Sequence, residues 1–276
     1  MKTKILFVTN VDWFFISHRL VIAKEAQNKG FEVIVAAEDT GRASEIAENG
    51  IQFINLPFSR SGTNPIEEFR TLIKFYKIYS SYKPDIVHHI TLKPVIYGSI
   101  IAKLLKIKGV VNAVSGLGYN FTEGRVNVIS KIMLRLMKYG FNNNRVSIIF
   151  QNKDDFQELY DLSVISTLSN IFYIKGSGVN LKDFYPTEFP VFAKIKIVLP
   201  IRMLWDKGVY ELYEASKILK NEYFDKIEFI LAGMADEDNK AGVPASFLKS
   251  WEEGEYVKWI GYQKNSEKNL GHPVKR

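Results

Sequence analysis

The sequence predicts an α/β protein made of two doubly wound domains. Three observations predict it. Strand-like and helix-like segments alternate along almost the whole chain. The strand-like segments are near-continuous Val/Ile runs, not apolar–polar alternations, as in parallel sheets covered by helices on both faces. The series is broken once, by a turn-rich link with Pro186 and Pro190, and then restarts.

The elements follow in order. Residues 4–9 (KILFVT) predict a first strand, and 18–30 has helical spacing that stops at Gly30. A strand at 31–38, a short helix at 42–50 and a strand at 51–58 come next. Residues 64–84 predict a helix, with Pro65 near its start and Pro84 past its end. A strand at 85–90, a helix at 94–107, a strand at 109–116, a long helix at 126–143 and a strand at 145–152 complete six βα units. A helix at 152–164 and a strand at 171–176 lead out of the first domain, 1–176. The link is 177–194. The second domain, 195–276, opens with strand 195–201, helix 207–220, strand 226–233, helix 244–253 and strand 255–262. Three strands are few for such a sheet, so this domain is expected to be incomplete.

Composition excludes several classes. At 46% hydrophobic and 24% charged, the 276 residues are globular rather than disordered. There are no cysteines, so disulfide and thiolate chemistry are ruled out, and the four histidines lack zinc-site spacing. The opening apolar run is broken by Asn10 and Asp12, which argues for a strand and against a secretory signal. No apolar run reaches the roughly 18 residues of a spanning helix, and the cytoplasm is the expected location. The net charge of +7 suits an anionic partner. No recognition helix of a known docking class appears and the aromatics are dispersed, so nucleic acid is not the expected one.

Ligands of doubly wound sheets bind beyond the carboxyl ends of the strands. After the first strand, Ser17, His18 and Arg19 stand where a helix starts, either as an anion site or as an ordinary capped helix with a surface arginine. His88 and His89 end the fourth strand, with Lys93 beyond them; side chains alternate, so at most one histidine faces a ligand. Gly116 and Gly118 allow close backbone approach but do not make a dinucleotide fingerprint. Lys131, Arg135 and Lys138 share a stripe of the 126–143 helix, beside Met133, Leu134, Met137 and Phe141: a membrane-docking face or a solvated one. The strand at 195–201 runs into Arg202, Lys207 and Gly208 at a strand-to-helix turn, where paired cations fit an anionic ligand or a surface pair near Asp206.

Two segments, GSGVNLKDFYP and LPIRMLWDKGVYELYEASKIL, resemble the retaining glycosyltransferases of family four, which have the GT-B fold of two Rossmann-like domains facing a cleft. The first motif reads Gly178, Val179, Asn180, Phe184, Pro186. The second reads Arg202, Lys207, Gly208, with Ile201 where the family has glycine. The WDKGV run is most similar to bacterial enzymes that extend undecaprenyl-pyrophosphate-linked sugars with N-acetylgalactosamine or galactose. The resemblance covers residues 1–264. It implies that Arg202, Lys207 and Gly208 hold the diphosphate of a nucleotide sugar, expected to be a UDP-sugar, without a metal or other cofactor. It implies an acceptor-binding first domain, where Arg19, Lys93, Gly116 and Gly118 are the candidates, with Arg202, Lys207 and His89 as catalytic groups. The acceptor would be a polyprenyl-pyrophosphate-linked or other glycan, with the protein peripheral on the inner face of the membrane through Lys131, Arg135 and Lys138. The family's Glu-x7-Glu motif is expected beyond residue 276, so the second domain reads as truncated. Alternatives are a silent fragment that binds acceptor lipid or a partner, and a sugar-nucleotide epimerase of similar fold.

Overall fold

The structure is a computed structural model and describes residues 2–58, 64–116, 128–165, 170–178, 181, 194–237, 239 and 241–263. It divides into two compact units, residues 1–178 and 179–276.

The first unit contains β1 (Lys4–Val11), α1 (Asp12–His18), α2 (Leu20–Asn28), β2 (Glu32–Glu38), α3 (Ala43–Glu48), β3 (Gln52–Asn55), α4 (Pro65–Tyr82), β4 (Ile86–Ile90), α5 (Leu92–Leu104), β5 (Gly109–Val114), α6 (Val128–Phe141), β6 (Val146–Phe150), α7 (Lys153–Asp161) and β7 (Asn170–Tyr173). The strands form one parallel sheet in the order β3-β2-β1-β4-β5-β6-β7. Strand order reverses between β1 and β4, which makes their carboxyl ends the topological switch point.

Both sheet faces are covered, as continuous apolar strands require. Leu6, Val8, Ile34 and Val87 face Phe75, Tyr79, Ile101 and Met137 of α4–α6. Phe7, Val35, Ile90 and Ala113 face Phe15, Ala23 and Ile46 of α1–α3. The α4 boundaries follow from local chemistry. Asn64 Oδ1 accepts from the Ile66 amide at 3.0 Å, Pro65 fills the first turn, and Lys83 ends the helix in a left-handed conformation at φ 47°.

One expectation fails here. The segment after β1, read as a loop running into a helix at residue 18, is itself helical from Asp12. No side chain caps α1 at Val11, so the usual start signal is absent. Asp12 acts differently. Its carboxylate accepts from the Trp13 amide at 2.6 Å and from the Thr40 and Arg42 amides at 2.8 Å, and from the Thr40 hydroxyl. Burial pushes its pKa up, but these hydrogen bonds outweigh that and hold it below the usual aspartate range. Asp12 thus ties the end of β1 to the β2–α3 connection.

A second feature marks the switch point. Thr91, directly after β4, has φ 72° and ψ 158°, and its hydroxyl donates to Asn10 Oδ1 at 2.7 Å. A β-branched residue at positive φ is strained, and such strain gathers at functional sites.

The second unit contains β8 (Ile195–Pro200), a 3-10 turn (Trp205–Lys207), α8 (Val209–Tyr223), β9 (Ile227–Ala232), α9 (Ala245–Trp251) and β10 (Val257–Trp259). Its strands are parallel in the order β10-β9-β8. Among the described residues β9 is buried throughout, whereas β8 pairs on one side only. Val209, Phe229, Leu231, Leu248 and Trp251 form the core. Ser216 joins its layers: its hydroxyl accepts from Trp251 Nε1 at 3.0 Å, and its carbonyl from the Tyr256 hydroxyl at 2.6 Å.

Candidate active site

In the second unit the chain between β8 and α8 is stitched to the chain after β9. The Met203 amide donates to Met234 O at 3.1 Å, Trp205 to Ala241 O at 2.9 Å, and Val243 back to Met203 O at 2.9 Å. The stitching needs Gly233, because a Cβ there would lie 2.9 Å from the Ile201 carbonyl carbon. Gly208 then turns the chain at φ 85° into α8. It carries no side chain to cap that helix, whose start is the positive end of its dipole.

Arg202 and Lys207 are both exposed on this turn. Arg202 does not pair with Asp206. It pairs with Asp236, which the loop after β9 brings to it. The Arg202 side chain is 65% exposed, so this pair is worth under about 1 kcal/mol and is easily exchanged for a stronger anion. The turn therefore combines a guanidinium fork, an ammonium and a helix start without a side-chain cap, a set suited to a diphosphate.

The histidines of β4 divide between the two sheet faces. His89 was expected to be catalytic, and the structure corrects this. Its ring is fully buried beneath α5, with Nδ1 2.7 Å from Asn112 Oδ1 and Nε2 2.7 Å from the Tyr79 hydroxyl. Asn112 Nδ2 donates in turn to Ser99 Oγ at 2.9 Å. This network assigns the proton to Nδ1, since the Asn112 oxygen can only accept. Burial pushes the His89 pKa down to about 4, although the Asn112 bond works against it. His89 is a neutral, satisfied core residue with no surface to offer a substrate.

His88 faces the other way, stacked on Phe7 with ring centroids 5.1 Å apart. It lines a cavity of about 50 Å3 together with Arg19, Ile22, Gln151, Ile174 and Gly176. Arg19 sits at the break between α1 and α2 and stands, as expected, where a helix starts, at the N-cap of α2. Its Nη1 donates to His18 O at 2.9 Å and to Ser177 Oγ at 2.8 Å. Ser17 is occupied locally by Trp13 O and His18 Nδ1. A wider hollow of about 500 Å3 lies near the ends of β2 and β3, lined by Glu38, Phe58, Glu67, Arg70 and Lys74.

Lys93 is paired with a carboxylate of α4. Its Nζ lies 2.5 Å from Glu68, whose second oxygen accepts from the Tyr97 hydroxyl at 2.5 Å. Gly116 is exposed at φ 116°, a conformation that favours glycine, while Gly118 lies outside the described residues, as do Val179, Asn180, Phe184 and Pro186 of the first motif.

On α6 the three cations Lys131, Arg135 and Lys138 are exposed. The apolar residues beside them are not those expected. Met137 and Phe141 are buried in the core and Met133 and Leu134 pack against it, because their side of the helix faces the sheet. Ile132 and Tyr139 are the exposed apolar neighbours, at 50% and 52%. Lys103 of α5 adds a cation 4.1 Å from the centre of the Tyr139 ring. Among the described residues, no helix is long and apolar enough to cross a membrane.

Comparison with known proteins follows the same lines. Residues 4–152 match the glycosyl transferase 4-like family. An N,N'-diacetylbacillosaminyl-diphospho-undecaprenol α-1,3-N-acetylgalactosaminyltransferase of Campylobacter jejuni is 27% identical over 86% of this chain and 66% of its own length. A UDP-Gal:α-D-GlcNAc-diphosphoundecaprenol α-1,3-galactosyltransferase of Escherichia coli is 24% identical over 75% of this chain and 55% of its own length. The chain thus spans 55–66% of the length of these relatives. Among solved structures, Anabaena HepE in complex with UDP and glucose has a TM-score of 0.67 at 14% identity, covering 97% of this chain and 71% of that one. The parallel sheets and this likeness make the fold that of the GT-B glycosyltransferases. With more than half of its length matched, from the first strand through the sixth, the chain belongs to the glycosyl transferase 4-like family.

Proposed function

We propose that this protein is a retaining glycosyltransferase that moves a sugar from a UDP-sugar to an undecaprenyl-diphosphate-linked acceptor in bacterial glycan synthesis. The observation that carries this reading is the turn after β8, where Arg202, Lys207 and the uncapped start of α8 come together. The relatives supply the substrate class: their names specify diphospho-undecaprenol acceptors and, in one case, a UDP-sugar.

The chemistry follows from charge. As the bond between the anomeric carbon and the diphosphate breaks, negative charge grows on the leaving oxygen. Arg202, Lys207 and the α8 amides stabilise that charge more than the ground state, with no metal required. The acceptor hydroxyl attacks the same face of the sugar, its oxygen bonds to the anomeric carbon, and its proton passes to the departing diphosphate oxygen. His89 has no part in this step. Arg19 belongs to the acceptor side, in the first unit.

The test is direct. The purified chain is incubated with UDP-N-acetylgalactosamine or UDP-galactose and an undecaprenyl-diphosphate-linked sugar. The expected result is UDP release and an extended lipid-linked product with the donor's anomeric configuration. UDP binding without transfer would leave a binding module, and interconversion of the free UDP-sugar would point to an epimerase; either result overturns the proposal.

The acceptor's polyprenyl tail implies work at a bilayer surface, and α6 supplies a docking face. Each cation near an anionic surface contributes about 1 kcal/mol, so Lys131, Arg135 and Lys138 give roughly 3 kcal/mol, enough for reversible attachment. Binding to anionic vesicles should be released by high salt, because the attraction decays within a Debye length. Changing all three residues to glutamate should abolish sedimentation with the vesicles while leaving the circular dichroism spectrum unchanged. Equal binding by the triple variant would make this stripe an ordinary solvated face.

A further inference from the structure

We infer that the cavity between Arg19 and His88 is a subsite for one phosphoryl group. Arg19 is only 6% exposed, and its Nε has no hydrogen-bond partner. Among the described residues no carboxylate pairs with it; its Nη1 is held by a carbonyl and a hydroxyl, both neutral. A guanidinium stays charged even when burial lowers its pKa, as it does here. A charge buried without a counter-charge carries a penalty of several kcal/mol. Proteins retain such a charge where a ligand supplies the opposite one.

His88 is the second unpartnered group. It is 8% exposed, and its Nε2 has no partner. Burial first, and then the nearby Arg19 charge, hold its pKa down to about 3. It is therefore neutral and can present an Nε2–H to an oxyanion without being titrated. Arg19 and His88 both line the same space, and each brings a nitrogen without a hydrogen-bond partner.

The size of the space selects the guest. About 50 Å3 holds a few waters, each needing about 10–15 Å3, or a single tetrahedral oxyanion, but not a sugar ring. Waters would satisfy Nε and Nε2 but leave a whole unit of charge uncompensated. A phosphoryl group satisfies both. Gln151 adds a polar amide to the lining, beside Ile22, Ile149 and Ile174, and a phosphoryl group would form charge-assisted hydrogen bonds with Arg19. That the phosphoryl group belongs to the acceptor diphosphate rests on the function proposed above; capture of the anion does not.

The experiment uses the whole chain, labelled with 15N-histidine, with the His88 signal identified by its loss in His88→Gln. Sodium phosphate is added at neutral pH and constant ionic strength, against a chloride control. The expected result is a saturable shift of the His88 Nε2 resonance, competed by sulfate, with phosphate affinity at least tenfold lower in Arg19→Met. If that variant does not fold, the wild-type titration and sulfate competition decide alone. A His88 signal that ignores phosphate, diphosphate and farnesyl diphosphate overturns the subsite while leaving the transfer assay untouched. Farnesyl diphosphate binding more tightly than inorganic diphosphate supports a lipid source. Equal binding supports the subsite and overturns its assignment to the acceptor. Saturable phosphate binding together with failed sugar transfer overturns the proposed function and not the subsite.

Discussion

Replacing Lys207 with alanine is expected to lower sugar transfer by about 10²- to 10³-fold in kcat, the usual loss when one group that stabilises developing negative charge is removed. Lys207 is exposed on a turn whose backbone is fixed by the 203–243 stitching, so its loss should not disturb the fold. Arg202→Ala should have a similar effect, and Arg202→Lys should recover only part of it, because the planar fork is lost. The two losses should combine to less than their product, since both act on one diphosphate. Asp236→Asn is the control. Its pair with Arg202 is exposed and weak, so breaking it should leave transfer within a few-fold of the parent. Steady-state rates with varied donor and acceptor decide the matter. A Lys207→Ala protein with parental kcat would remove the turn from the reaction.

Gly98→Ala should destabilise the first unit by about 3 kcal/mol or more, at the upper end for overpacking a core. A Cβ on Gly98 would stand 2.5 Å from His89 Cδ2 and 2.8 Å from Cε1, far inside ordinary contact. The ring cannot retreat, because the Tyr79 hydroxyl and Asn112 hold it at both nitrogens. For a unit of this size the loss corresponds to a fall in Tm of roughly 6–12 °C. The double variant His89→Ala/Gly98→Ala should lose less than the sum of the single changes, as expected for residues in contact. Additive losses would mean that the helix, and not the ring, resists the new methyl group.

Much of this was legible in the sequence, and the reasons for the rest are specific. Val/Ile runs placed the strands, most clearly β2 and β9, which are buried along their length and so carry few polar interruptions. Pro65 and Pro84 framed α4 for the same reason that they flank it in space. The helix at Asp12 was hidden because its start depends on amides near residue 40, not on a neighbouring cap. The site was harder. Arg202 finds its partner 34 residues away, at a loop whose position depends on how β9 lies beside β8. Lys93 looked available until α4 brought Glu68 to it. His88 and His89 differ only in which face of β4 they occupy. That parity can be read from Phe7 and Val8, but only once their register with β4 is known.

The adjacent histidines also bear on how the sheet finds its alignment. A strand that slips by one residue exchanges its two faces, and most sequences resist this because the wrong side chains are then buried. At His88–His89 the slipped strand would still present an imidazole beneath α5, so the identity of the residue gives little protection there. Discrimination must come from the surroundings. The slot above Gly98 and the paired Tyr79 and Asn112 accept a ring at one height only, and Phe7 offers its stacking face only to the neighbour opposite. The buried polar network beneath α5 thus favours the native register at the one step of β4 where either neighbour would supply an imidazole.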